Sequence, residues 1–96
     1  MEMVRDMAFS HFSGRVGESF DVIVGDHKLA LVLDVAQDLP GSPRPSGGFR
    51  LEFVGPPDPV LAQGIFPFEI GAERFEIFVV AIARDTSGTR YEAVFF

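Results

Sequence analysis

Arg74-Phe75-Glu76-Ile77-Phe78-Val79-Val80-Ala81-Ile82-Ala83-Arg84, then Asp85-Thr86-Ser87-Gly88, then Thr89-Arg90-Tyr91-Glu92-Ala93-Val94-Phe95-Phe96: this C-terminal stretch decides the fold class. Two runs rich in β-branched and aromatic residues flank a short polar turn, which is the pattern of a β-hairpin. Gly88 offers the left-handed conformation that such turns use. Pairing Arg84 with Thr89 sets Ile82 opposite Tyr91, Val80 opposite Ala93 and Phe78 opposite Phe95. On that register Glu76, Phe78, Val80 and Ile82 share the face of Tyr91. The other face carries Phe75, Ile77, Val79, Ala81 and Ala83 with Arg90, Glu92, Val94 and Phe96. Both faces of the first strand are apolar, so it reads as central to a barrel or sandwich, or as covered by an N-terminal helix, and as scaffold rather than a working surface. Glu76 falls near the strand's end, at the rim. Buried, it would need an arginine partner or a raised pKa.

The period-two pattern continues upstream. Phe20, Val22 and Val24 alternate along 18–24, Gly25-Asp26 turns, and Leu29, Leu31, Leu33 and Val35 alternate along 28–36. Phe49, Leu51 and Phe53 mark a strand over 49–55, and Ile65-Phe66-Pro67-Phe68-Glu69-Ile70 one over 64–70. Pro67 cannot donate to a ladder, so that strand is an edge or carries a bulge. With 74–84 and 88–95 the count is about six strands. Between them, 37–48 holds three prolines and three glycines and reads as a flexible loop. Residues 6–13 read as a short helix capped by Asp6 and ended by Gly14, with Phe9 and Phe12 docking on the sheet. No internal repeat is evident. The expectation is one all-β domain over 1–96. It is an antiparallel meander forming a small barrel or sandwich, with one short N-terminal helix.

Composition limits the function classes. Apolar residues make up 47% of the 96 and charged residues 23%, a globular balance with room for one core. Eleven phenylalanines with one tyrosine and no tryptophan point to a core built from Phe rings. The alternative is an aromatic binding face. No cysteine is present, so disulfides and thiolate metal sites are excluded. The net charge of −6 is spread evenly over both halves. One lysine, Lys28, and seven scattered arginines suit neither a nucleic-acid backbone nor an anionic membrane. Met1 to Asp6 lack the basic and apolar regions of a signal peptide, and no apolar run approaches a membrane span. The expected location is cytoplasmic.

No pattern calls for catalysis or a cofactor. His11 and His27 lie on different elements, too few for a metal site. Ser46 lacks a nucleophile-elbow setting, and Gly41, Gly47 and Gly48 lack the strand-to-helix setting of a phosphate loop. Glu52, Glu69, Glu76 and Glu92 all fall on strands, where acids ordinarily form the wet face of a sheet.

The chain resembles a family of small bacterial proteins catalogued only as a domain of unknown function. The carrying residues are Phe12-x3-Val16-Gly17-x2-Phe20, Phe49-x-Leu51-x-Phe53-x-Gly55-Pro56 and Leu61-x-Gln63-Gly64-x-Phe66-x-Phe68-Glu69. Glu76-Ile77-Phe78-Val79-Val80 and the closing Arg90-Tyr91-Glu92-Ala93-Val94-Phe95 complete the pattern. Similar proteins often end in asparagine where Phe96 stands here. The resemblance implies no activity and no catalytic residues. Its association with phage-tail-like or surface-fibre genes implies an assembly or adaptor role, which is an association and not a mechanism.

Two functions follow as expectations. The first is a non-catalytic protein-interaction or assembly module, with a protein partner or a second copy engaging the Pro67 edge and the apolar Phe96. The second is a small-ligand-binding barrel in which Tyr91 or Glu76 orients a ligand.

Overall fold

A computed structural model describes residues 7–96. Six strands form one antiparallel sheet: β1 (Ser19–Val24), β2 (His27–Leu39), β3 (Gly48–Gly55), β4 (Gly64–Ile70), β5 (Glu73–Asp85) and β6 (Gly88–Phe95). The sheet closes on itself in the order β1-β2-β3-β6-β5-β4. The alternating runs of the sequence account for every strand. The connections hold a surprise. β1 to β3 form one meander and β4 to β6 a second, but β3 pairs with β6 and β4 closes on β1. Residues 56–63 must therefore cross one end of the ring.

The expected helix over 6–13 is a single 3-10 turn, Phe9–His11. Asp6, the expected cap, lies outside the described residues. The turn is held by His11 N–H and Phe12 N–H donating to the Ala8 and Phe9 carbonyls, and by Ala8 N–H donating to His11 Nδ1 at 3.0 Å. So short a segment keeps its shape only by docking. Phe12 supplies the anchor, fully buried with its ring 5.0 Å from Phe75 and 5.7 Å from Phe49.

The expected register of the last hairpin is correct at Arg84↔Thr89 and slips beyond it. A bulge lies between Ala81 and Ala83, so Tyr91 faces Ala81, not Ile82, and Val80 faces Glu92, not Ala93. One extra residue reverses every side chain beyond it. The inner face of β5 is therefore Phe75, Ile77 and Val79, all buried, while Phe78 and Ile82 point outward and are exposed. β5 is buried on one face only. β2 carries a similar bulge between Leu33 and Val35. Both long strands use it to turn a corner. β5 pairs with β4 through Val79 and with β6 from Val80, while β2 passes from β1 to β3 at Val32.

The interior is built from rings. Phe12, Phe20, Phe49, Phe53, Phe68 and Phe75 are buried with Tyr91, Leu31, Leu33, Leu51 and Ile77. Six of the eleven phenylalanines thus make the core, with Phe53 meeting Phe20 edge-on at 5.6 Å and Phe68 at 4.8 Å. Gly88 serves this closure differently from the expectation. Its φ is not positive; instead a Cβ there would meet the Gly55 carbonyl oxygen at 2.7 Å. Close approach of β6 to β3, rather than a left-handed turn, demands glycine.

Candidate interaction surface

The outside of the ring has two characters. Across the middle of β2, β3 and β6 it is a lattice of ions, with Val32 of β2 also exposed. Arg50 donates to Glu92 Oε2 from Nε (3.2 Å) and Nη2 (3.0 Å), to Gln37 Oε1 (2.9 Å) and to Glu52. Arg90 Nη1 donates to Asp34 Oδ2 (2.9 Å) and Glu52 Oε1 (2.8 Å). Asp34 sits in the β2 bulge, which aims it at this network. Each carboxylate here answers an arginine, so none stands as one of a free acid–base pair.

Over β4 and β5 the outside is apolar. Ile65 pairs with Phe78 across the two strands, and Val80 and Ile82 follow Phe78 along β5. Val80 pairs with Glu92, which sets Val94 on the neighbouring diagonal. Ile65 is 66% exposed, Val94 55%, Phe78 49% and Ile82 47%. Water is what these side chains meet. One end of the stripe is closed by charges, with Arg74 Nε 3.4 Å from Glu76 Oε1, and Lys28 Nζ and Arg74 Nη1 3.6 and 3.7 Å from Glu69.

Of the residues singled out in the sequence, Pro67 and Glu76 face each other across β4 and β5 on this outer side. β4 is not an edge strand, because β1 closes the ring against it. That closure rests on Asp21↔Glu69 and Val22↔Phe68 and stops beside Pro67, which has no N–H to extend it. Glu76 is exposed beside Arg74 and does not share a face with Tyr91. Tyr91 lies inside, fully buried, where its hydroxyl accepts the Leu61 N–H at 3.0 Å. It pins the crossing segment 56–63 onto the end of the ring. Phe96 follows β6 and is 61% exposed.

The loop that reads as flexible is shorter, 40–47, and is tied down. Arg44 donates to the Met7 carbonyl at 3.1 Å and to that of Gly47. Its guanidinium lies 5.7 Å from the ring of Phe49 and 5.6 Å from that of Phe95, which stack on each other at 4.4 Å. His11 packs against Phe75, while His27 sits exposed 3.3 Å from Asp26. Among the described residues no three His, Asp or Glu side chains converge as metal ligands. A shallow groove is lined by Pro57, Asp58, Arg84, Asp85 and Thr86, and Arg84 in its wall donates to the Pro57 carbonyl (2.8 Å) and Asp58 Oδ1 (2.6 Å). Asp85 accepts Ser87 Oγ–H (2.6 Å), Ser87 N–H (2.8 Å) and Gly88 N–H (3.1 Å), and the Ser87 bonds hold its carboxyl below the usual carboxylate range. No described helix is long and apolar enough to cross a membrane.

Sequence reasoning missed the outer stripe because it assumed that both faces of β5 were covered. The available signal was the shortness of the N-terminal segment, too small to cover a sheet face.

Fold and surface together define a small all-β domain with a ring-packed interior and a divided exterior. The chain belongs to the family described as a domain of unknown function (DUF6916), which matches residues 7–95. No curated protein and no solved structure matches it.

Proposed function

We propose that this domain is a non-catalytic protein-interaction or assembly module that works through the outer face of β4 and β5. The exposed stripe of Ile65, Phe78, Ile82 and Val94 carries this reading. Contiguous exposed apolar surface on a sheet costs solubility and contributes nothing to the interior, so it marks a contact surface. The ion lattice on the other side shows that the same strand plan tolerates polar outer residues. Pro67 adds to the reading, since it lies on this outer side where the β1–β4 ladder stops.

A photo-reactive benzoyl-phenylalanine at position 78, compared with one at Val32 on the outer side of β2, tests this in cells making the full chain. Covalent protein adducts confined to position 78 are expected. Equal adducts at both positions, or none at 78, would refute it.

A further inference from the structure

We infer that the partner of the β4–β5 face is a second copy of this chain, packed face to face about a two-fold axis that passes near Val80. The inference rests on the interaction reading above and names the partner.

Area is the first argument. Ile65, Phe78, Ile82 and Val94 leave on the order of 400 Å² of apolar surface open, within the range of the largest patch on ordinary monomers. That is about half of the ~800 Å² each partner gives to an interface of standard size, and polar rim residues supply the rest.

Charge is the second. One end of the stripe holds both signs, Arg74 beside Glu76 and Lys28 beside Glu69, and is locally neutral. Such an end selects neither a basic nor an acidic partner. It fits another apolar stripe with a neutral end, and a second copy offers one.

Geometry is the third. A two-fold axis at Val80 runs one β5 antiparallel to the other, so Phe78 of each copy lies over Ile82 of the other. Glu76 of each copy then comes over the Asp85↔Gly88 end of the other copy's hairpin, at the rim of the contact. The interface is isologous and closes at two copies, which avoids open-ended assembly.

The net charge of −6 sets a signature. Two such chains repel at low salt, and screening at physiological ionic strength relieves this. Self-association therefore strengthens as salt rises from low values. Binding to an oppositely charged partner would weaken.

Sedimentation velocity on the purified full chain tests the inference, with single-cysteine variants as a second readout because the chain has no cysteine of its own. A concentration-dependent dimer that tightens with added salt is expected. Facing sheets stand ~10 Å apart, too far for a direct disulfide, so Val80→Cys should be joined into a covalent dimer by a short bis-maleimide cross-linker and Val32→Cys should not. Phe78→Glu should weaken dimerisation by about 30-fold or more, as loss of an interface hot spot does. If Phe78→Glu does not fold, Ile65→Thr takes its place with the same expectation. A monomer at every concentration, equal cross-linking at both cysteines, or an unchanged dimer in the folded variants overturns the inference. If the chain is monomeric while position 78 still captures other proteins, the second copy is excluded and the interaction reading stands. A monomer without adducts removes both.

Discussion

β1 to β3 and β4 to β6 repeat one plan. The first half runs 6, 13 and 8 residues, the second 7, 13 and 8. Each long middle strand carries one bulge and bends from its short neighbour to its longer one. Each half sends large side chains inward: Phe20, Leu31, Leu33, Leu51 and Phe53 from the first, Phe68, Phe75, Ile77 and Tyr91 from the second. Their outer faces differ. In the first half β2 and β3 present Asp34, Arg50 and Glu52, locked with Arg90 and Glu92. In the second, β4 and β5 present Ile65, Phe78, Val80 and Ile82. The lesson is that the inner pattern and the two bulges are enough for closure, and the outer residues are free to serve something else.

Breaking the shared interior should have the largest effect. Phe53→Ala removes a ring that meets Phe20 and Phe68 and should cost about 3–5 kcal/mol in a denaturant titration, a large part of the stability of a domain this size. Tyr91→Phe probes the segment that joins the halves. It leaves the buried Leu61 N–H without an acceptor, with an expected loss of about 1–3 kcal/mol by the same measurement. Arg50→Ala tests the ionic exterior. It leaves Glu52 and Glu92 facing each other across β3 and β6, and should lower stability by about 1 kcal/mol, less at high salt. The smallest effect is at the β5–β6 turn. The Asp85 carboxyl sits below its ordinary pKa, so its contribution is present above the usual aspartate range and is lost as pH falls through the lowered value. Stability measured against pH should fall less steeply at the acid end for Asp85→Ala than for the unaltered chain.

Most of the fold is legible in the sequence because the buried side chains alternate cleanly. Phe49-x-Leu51-x-Phe53 and Leu29-x-Leu31-x-Leu33 declare strands and inner faces together. What is not legible depends on contacts distant in the chain. Val79-Val80-Ala81-Ile82-Ala83 is apolar at every position, so no alternation marks where the bulge resets the faces. That hides both the outward turn of Phe78 and the inward turn of Tyr91. The prolines and glycines of 40–47 suggest freedom, yet Arg44 anchors the loop to Met7 and to the Phe49–Phe95 stack. The repeated plan has no counterpart in residue identity, because the two halves share bends and lengths rather than side chains. The ring order escapes too, since Pro67 looks like the mark of an edge until β1 is seen to close beside it. Among the candidate residues, Phe96 is exposed and Pro67 lies on the outer side of a strand that is not an edge. Glu76 and Tyr91 separate to opposite sides of the sheet.

The central claim is that the β4–β5 exterior is dispensable for folding and spent on contact. The direct measurement is the denaturation midpoint of the Ile65→Thr, Phe78→Thr double variant, at a concentration low enough for the unaltered chain to be monomeric. Threonine keeps the preference for strand while removing most of the apolar surface. The account predicts a stability within about 1 kcal/mol of the unaltered chain, as exposed strand sites allow. A loss of more than about 3 kcal/mol, the size of a core truncation, would contradict it and make the stripe part of the scaffold.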